Sequence, residues 1–259
     1  MFGPPMPGGC WPREDRMARA YDPMAWIYNR YWGQRATERF LPILERLLLP
    51  HLPSHARILD LCCGTGQLAR ALSERGYRVT GLDESEAMIR FARRNAPDVP
   101  FLVADARRFH MPPIYHAVVS TYDSLNHVMT LEDLARVFQN VAACLQEGGF
   151  FLFDLNMEAG YQARWRGAFG IVEEDHAFVI RAAFDERQRV GRFALTLFRL
   201  EEGVWRRSDV TLEQRCYTEP EVASALEAAG FTDLQVYDAQ TDLGWPGEVG
   251  RAFFRARKA

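Results

Sequence analysis

Acidic residues end three predicted strands in the first half of this 259-residue chain. Asp60 follows the apolar residues Ile58 and Leu59, Asp83 ends YRVTGLD, and Asp105 ends VPFLVAD. The carboxyl ends of neighbouring parallel strands meet along one edge of a sheet, where ligands bind in such folds. Carboxylates are hydrogen-bond acceptors with negative charge. The sequence therefore predicts a site for a ligand that carries cationic groups and hydrogen-bond donors.

A glycine-rich loop joins the first of these strands to a predicted helix. Its spacing, Gly64-x-Gly66-x-x-Ala69, matches the turn that binds dinucleotides, with Asp83 where a ribose-binding acid belongs. Asp60 argues against a pyrophosphate, because a carboxylate about 4 Å from a phosphate oxygen costs on the order of 4 kcal/mol at an effective dielectric of about 20. The same geometry attracts a cation by a similar amount. S-adenosylmethionine, which has an ammonium and a sulfonium but no phosphate, therefore fits better than NAD(P).

Four segments resemble the motifs of class I S-adenosylmethionine-dependent methyltransferases, and the resemblance extends over residues 21 to 155. LDLCCGTGQLA is similar to the first motif of the family, GLDESEAMI to its ribose motif, VADAR to its adenine motif and STYDSLNHV to its fourth motif. A narrower resemblance is to small-molecule members with a helical Y-D-x-x-A-x-x-Y-D pattern and β-strands inserted after strand five. The stretch YDPMAWIY keeps Tyr21, Ala25 and Tyr28, whereas Asn29 replaces the second acid.

The resemblance implies a cofactor site for S-adenosylmethionine. In it Asp60, Gly64 and Gly66 line the methionine and ribose side, Asp83 binds the ribose, Asp105 and Ala106 face the adenine, and Met88 packs on the adenine ring. Tyr21, Cys62 and Tyr122 complete the cofactor-binding residues that we predict.

Polar residues after the fourth predicted strand are candidates for contact with the methyl acceptor. Tyr122 and Asp123 leave the carboxyl end of that strand, and Asn126 and His127 follow within about one helical turn. His127 could take a proton from the acceptor or only cap the following helix, and both roles stay open. Tyr28 belongs to an aromatic segment that suits a sulfonium or an amine through cation–π attraction of roughly 0.5 to 2 kcal/mol. We predict His127, Asp123 and Tyr28 as the catalytic residues.

The order of the predicted elements indicates the fold that positions these residues. Strands alternate with helices up to residue 155, which predicts right-handed crossovers and a doubly wound, mostly parallel sheet of seven strands, an α/β Rossmann-like fold. From residue 156 to 217 the helical patterns vanish and apolar and polar residues alternate, which predicts an antiparallel β insertion. We expect this insertion to wall the acceptor pocket without disturbing the cofactor loop.

These patterns divide the chain into four parts. They are a disordered tail at residues 1–20, an N-terminal helical lid at 21–50, a cofactor-binding α/β domain at 51–155 and 218–259, and the insertion at 156–217 as a substrate lid.

Composition limits the partners and the compartment. The net charge of -3 and the sequence pI near 6.1 favour neither nucleic acid nor an anionic membrane. The five cysteines form neither a disulfide framework nor a zinc spacing, so we predict a cytoplasmic protein without a metal. No apolar stretch reaches the roughly 18 residues of a membrane helix.

The predicted function is transfer of a methyl group from S-adenosylmethionine to a nitrogen or oxygen of a small-molecule acceptor. Two alternatives remain. An NAD(P)-dependent oxidoreductase is opposed by Asp60 and by the lack of a second motif-bearing domain. A catalytically silent protein that only binds S-adenosylmethionine is excluded by no feature of the sequence.

Overall fold

The α/β domain contains the predicted parallel sheet. The structure, a computed structural model, describes residues 21–259, so the tail predicted at residues 1–20 lies outside the described residues. The strands of this domain are β1 (Arg57–Leu61), β2 (Arg78–Asp83), β3 (Phe101–Val103), β4 (Tyr115–Ser120), β5 (Leu145–Asn156), β10 (Phe231–Asp238) and β11 (Arg251–Lys258). They form a seven-stranded sheet in the order β10-β11-β5-β4-β1-β2-β3, in which β11 runs antiparallel to the other six strands. The predicted doubly wound, mostly parallel fold is confirmed.

Helices cover both faces of this sheet. They are α2 (Gly33–Leu47), α3 (Gln67–Glu74), α4 (Glu86–Asn95), α5 (Leu131–Cys144) and α7 (Glu219–Ala228). Strand β5 illustrates that the sheet is buried on both faces. Its successive side chains point to opposite faces. Phe151 and Phe153 enter the core beside α5 and α7, whereas Leu152 enters the core beside α3 and α4. The strand is therefore apolar at consecutive positions, as in other sheets covered on both faces.

The remaining elements are an N-terminal helix pair and an insertion. Helices α1 (Ala25–Tyr31) and α2 (Gly33–Leu47) occupy the segment predicted as a lid. The insertion contains helix α6 (Glu158–Arg164) and a four-stranded antiparallel sheet of β6 (Gly167–Val172), β7 (His176–Asp185), β8 (Val190–Glu201) and β9 (Val204–Arg215). The antiparallel strands are confirmed, but the expectation that helices vanish between residues 156 and 217 is wrong. With seven residues, α6 is too short to show a helical period in the sequence.

The insertion and helix α1 share one hydrophobic core. The inner face of the four-stranded sheet, including Phe178, Ile180 and Leu195, packs against Met24 and Ile27 at helix α1. Ile27 is fully buried there. Removal of the insertion would therefore expose the apolar side of helix α1. That the insertion walls the acceptor pocket without disturbing the cofactor loop stays a prediction.

Candidate active site

A cavity of about 550 Å³ opens at the carboxyl ends of the sheet strands, between helix α1 and the insertion. The predicted site residues that line it are Tyr21, Tyr28, Cys62, Gly64, Asp83, Met88, Asp105, Ala106, Tyr122, Asp123 and His127. Asp60 and Gly66 are outside its lining. The fold thus brings residues from four strand ends and the lid to one place, as the positions of the strand ends predict.

The two glycines of the loop have different structural roles. A side chain at Gly64, where φ is 54°, would place its Cβ 3.2 Å from Cε1 of Tyr28, so the bare backbone lets the tyrosine ring lie over the loop. At Gly66, where φ is 80°, a Cβ would lie 2.9 Å from both Ala92 and Phe101. Gly66 therefore allows the loop to pack on α4 and β3. The structure does not place Gly66 on the cavity wall, where we expected it.

Asp83 is oriented by the backbone. Its Oδ2 accepts from the Gly64 N–H and its Oδ1 from the Ser85 N–H, each at 2.9 Å. Burial raises the pKa of Asp83 to about 6, although both backbone hydrogen bonds favour the carboxylate. Each oxygen keeps a further lone pair that can accept a hydrogen bond from the cavity. This arrangement suits a pair of neighbouring hydroxyls on a ligand.

Asp60 lies behind the cavity wall, and one of its carboxylate oxygens has no hydrogen-bond partner among the described residues. It is 2% exposed, and within residues 21–259 its Oδ2 has no hydrogen-bond partner. Its charge would act on Tyr28 and Cys62, which do line the cavity. Burial, reinforced by the charge of Asp83, raises the pKa of Asp60 to about 8. Asp60 is therefore mostly protonated at pH 7, and the predicted attraction to a cation requires that it first loses this proton.

Asp105 is held by a neighbour that we did not predict. Arg107 donates to both oxygens of Asp105, with its Nη2 2.6 Å from Oδ2 and its Nε 2.9 Å from Oδ1. Burial opposes the charge of Asp105, but these hydrogen bonds lower its pKa below the ordinary value. Glu84 also lines this end of the cavity, and burial with the charge of Asp105 raises its pKa to about 7. The position of Glu84 directly after Asp83 is the signal that could have found it.

His127 is held as a neutral imidazole on the cavity wall, beside strand β9 of the insertion. Its Nδ1 lies 2.9 Å from the carbonyl oxygen of Glu213, an acceptor, so Nδ1 carries the proton. Its Nε2 then accepts from the Tyr21 hydroxyl at 2.7 Å and from the Gln214 amide at 3.0 Å. Burial lowers the pKa of His127, although the charge of Asp123 opposes this shift. The network therefore leaves the lone pair of Nε2 facing Tyr21.

Asp123 belongs to a buried ionic cluster. Arg251, 5% exposed, donates to Asp123 at 2.9 Å, to Glu248 at 2.8 Å and also to Asp154. Asp123 also accepts from the Gln214 amide at 2.5 Å. Burial opposes its charge, but Arg251 lowers its pKa below the ordinary value. A carboxylate that is paired in this way is a weak proton acceptor, so the arrangement favours a positioning role for Asp123.

The same cluster shapes the backbone at the end of β4. Asp154 accepts from the N–H groups of Tyr122 at 2.6 Å and Asp123 at 3.1 Å. These two residues have φ values of 67° and 50°, a conformation that non-glycine residues rarely adopt. The buried carboxylate stabilises this turn, which aims both side chains into the cavity.

Comparison with known proteins identifies the family. A family described as "Methyltransferase domain" matches residues 58–149. YqeM of Bacillus subtilis (strain 168), which is named as a methyltransferase, is 32% identical over 246 residues, and the match covers 92% of this chain and 97% of that protein. The chain belongs to the class I S-adenosylmethionine-dependent methyltransferases. The enzyme therefore uses S-adenosylmethionine, and the NAD(P)-dependent alternative falls away.

Two further comparisons show a solved structure of the same fold and a second relative of known name. A crystal structure of an S-adenosylmethionine-dependent methyltransferase from Clostridium acetobutylicum ATCC 824 has the same fold, with a TM-score of 0.75 and 20% identity, covering 92% of this chain and 99% of that one. The dTDP-4-amino-2,3,4,6-tetradeoxy-D-glucose N,N-dimethyltransferase of Saccharopolyspora spinosa is 30% identical over 132 residues, 51% of each chain.

Two further observations on the described residues concern metal ligands and membrane-spanning helices. Residues 21–259 contain no group of three or more His, Cys, Asp or Glu side chains arranged to hold a metal ion. In the same part of the chain no helix has both the length and the apolar character needed to cross a bilayer.

Proposed function

We propose that the enzyme methylates a nitrogen or oxygen atom of a small molecule, which binds between Tyr21, His127 and the inner face of the insertion. The observation that carries this proposal is the Tyr21–His127 hydrogen bond on the cavity wall, with the histidine held as an acceptor. The cavity volume of about 550 Å³ is in the range of small-ligand pockets. The side of the cavity beyond His127 is walled by apolar residues of the insertion, including Ile180, Phe193 and Leu212.

We propose that the cofactor occupies the other end of the cavity. The free lone pairs of Asp83 suit the two ribose hydroxyls, and Asp60, once ionised, attracts a cationic group of the methionine part from behind the cavity wall. Met88 on helix α4 and Ala106 after strand β3 supply apolar contacts for the adenine. Tyr28, above the glycine loop, is in a position to cover the methionine part.

The chemistry of the acceptor end follows from the hydrogen-bond network. S-adenosylmethionine supplies a methyl group activated by its positive sulfonium. Burial and the charge of Asp123 raise the pKa of Tyr21 well above its ordinary value, so its hydroxyl stays protonated. The acceptor's N–H or O–H proton passes to the Tyr21 oxygen as the Tyr21 proton passes to Nε2 of His127. The Glu213 carbonyl keeps the other ring proton in place and stabilises the protonated ring.

The acceptor class is tested by a screen with methyl-labelled cofactor. The net charge of -3 and the aminosugar methyltransferase among the relatives support a small metabolite over nucleic acid. We expect label to enter low-molecular-weight products when the purified enzyme is incubated with a metabolite extract of cytoplasmic origin. Label that enters only RNA, DNA or protein would contradict the proposal. Product analysis then distinguishes N-methylation from O-methylation.

Replacement of His127 with asparagine tests the base. The asparagine amide can still donate to the Glu213 carbonyl, but the lone pair that faces Tyr21 is lost. We expect kcat to fall by roughly a hundredfold, the lower end of the range for general bases because the proton is relayed, with little change in KM for the cofactor. The pKa of His127 is below its ordinary value, so wild-type kcat should fall as pH drops through that pKa, when the ring becomes protonated. This acid limb should be absent in His127→Asn.

The matched control for this variant is His55→Asn. His55 is exposed, its Nδ1 lies 3.0 Å from the carbonyl oxygen of Gly76, and it is not part of the cavity lining. It should keep wild-type kcat and the wild-type pH profile. An unchanged kcat in His127→Asn would assign His127 a purely structural role.

The pKa of Asp60 predicts a pH dependence of cofactor binding. A cationic ligand favours ionised Asp60, whereas the free protein keeps the carboxyl protonated below about pH 8. Binding therefore releases a proton, and affinity for S-adenosylhomocysteine, which retains the ammonium, should rise between about pH 6 and 8 by up to about tenfold per pH unit. Titration calorimetry in two buffers of different ionisation enthalpy measures both the affinity and the released proton.

The Asp60→Asn variant isolates this contribution. Asp83 and Glu84 also have raised pKa values, about 6 and about 7, and they remain in the variant. We expect a flatter pH dependence and weaker binding at pH 8. The same pH dependence in wild type and Asp60→Asn would show that Asp60 does not ionise on binding.

A further inference from the structure

A chain of hydrogen bonds outside the cavity joins the lid to the insertion. Tyr31 is the last residue of helix α1, and His176 is the first residue of strand β7. The Tyr31 hydroxyl lies 2.6 Å from Nε2 of His176, and Nδ1 of His176 lies 2.6 Å from Oδ1 of Asp175. His176 is fully buried, and none of the three residues lines the cavity. The lid and the insertion are therefore tied by directional contacts as well as by apolar packing.

The direction of each hydrogen bond follows from its partners. The Asp175 carboxylate can only accept, so the proton is on Nδ1 of His176, and Nε2 accepts from the Tyr31 hydroxyl. The hydrogen bond from His176 lowers the pKa of Asp175, which keeps this carboxylate ionised at neutral pH. Tyr31 therefore donates to His176, and His176 donates to Asp175.

Aromatic contacts continue from this chain toward the cavity. The Trp26 ring lies edge-on to His176 with the ring centroids 5.1 Å apart. Phe178, two residues along β7, contacts Trp32 with centroids 5.8 Å apart, and Trp32 contacts Tyr28 with centroids 6.3 Å apart. Trp32 and Tyr28 both line the cavity. If helix α1 moved away from His176, these contacts would also shift the Tyr28 ring, which lies over Gly64.

We propose that His176 is a positioning residue, which acts through Tyr31 to set helix α1 so that Tyr28 stays over the cofactor loop. Residues 28 and 31 are three positions apart, so they are neighbours on one side of the helix. Fixing the hydroxyl of Tyr31 limits both rotation and translation of α1, and Tyr28 follows. The proposal rests on the proposed location of the methionine part of the cofactor beside Gly64.

Tyr31→Phe tests the proposal with the smallest change, because it removes one hydroxyl and keeps the ring packing. We expect the Kd for S-adenosylhomocysteine to rise by about fivefold, the usual effect of one lost hydrogen bond, mainly through faster dissociation as the lid opens. His176→Asn should show a similar rise, and the double variant should be no weaker than either single one. Calorimetry gives the Kd, and rapid-mixing displacement gives the dissociation rate.

Tyr237→Phe is the matched control. The Tyr237 hydroxyl contacts Gln235 on strand β10, and Tyr237 is not part of the cavity lining. We expect this variant to bind S-adenosylhomocysteine with the wild-type Kd. If His176→Asn does not fold, Tyr31→Phe and this control still decide the question.

The Tyr28→Ala background separates positioning from general stabilisation. If His176 and Tyr31 act through Tyr28, Tyr31→Phe should not raise the Kd further once Tyr28 is alanine. A fivefold rise that persists in this background, or a wild-type Kd for Tyr31→Phe, would overturn the proposal. Wild-type enzyme is measured first, because failure of wild type to bind would instead contradict the proposed cofactor location.

Discussion

The Asp83→Ala variant is expected to bind S-adenosylhomocysteine at least about a hundredfold more weakly than wild type, because two hydrogen bonds to a charged group are lost together at about 1.5 to 3 kcal/mol each. The same carboxylate also holds the N–H groups of Gly64 and Ser85, each at 2.9 Å. Its removal therefore frees the glycine loop as well as the ribose partners. Titration calorimetry at pH 8, where Asp83 is ionised, gives the largest difference.

Asp209→Ala is the control for Asp83→Ala. Asp209 is on the insertion, pairs with Arg207 at 2.8 Å and is exposed to solvent. We expect this variant to bind with the wild-type Kd. Unchanged affinity in Asp83→Ala itself would remove Asp83 from the cofactor site.

Replacement of Arg251 with methionine is expected to lower the free energy of unfolding by about 3 to 5 kcal/mol, because it leaves buried carboxylates without their cation. Arg251 is 5% exposed and contacts Asp123, Asp154 and Glu248. Burial already raises the pKa of Asp154 to about 6 with Arg251 in place, and loss of the cation raises it further. The carboxylates are more easily protonated at low pH, so the loss of stability should shrink between pH 8 and pH 5. Urea unfolding at both pH values measures this change.

The matched control removes an arginine of the same charge from the surface. Arg207→Met breaks the exposed pair with Asp209, whose side chain is 55% exposed, and should cost no more than about 1 kcal/mol. Equal, small losses for Arg251→Met and Arg207→Met would show that the buried cluster does not stabilise the fold. A loss in Arg251→Met that does not depend on pH would indicate lost packing alone.

The residues at the strand ends show how much of the candidate site is predictable from the sequence. Asp83, Gly64 and Tyr122 stand where short periodic patterns end, and parallel strands with right-handed crossovers bring such ends to one edge. Their arrival at one cavity therefore follows from local pattern and chain topology. The negative charge of the acidic residues among them favours a cationic ligand such as S-adenosylmethionine.

The partners of His127 show where prediction from the sequence stops. Its tautomer depends on Glu213 and Gln214, and its neighbour Asp123 depends on Arg251, all from distant parts of the chain. These residues belong to strands whose patterns predict burial but not register. A shift of one residue along a strand would turn each side chain to the opposite face.

By itself the sequence determined the doubly wound sheet, the glycine loop and the acidic strand ends, because each depends on residues that are neighbours in the chain or on the ends of parallel strands. Tertiary structure alone decided the protonation of Asp60, the pairing of Arg251 and the junction of the lid with the insertion at His176. The physical reason is the distance along the chain over which each interaction acts. Hydrophobic periodicity and turn chemistry act over a few residues, whereas burial, desolvation and hydrogen bonds across the fold depend on where distant segments pack.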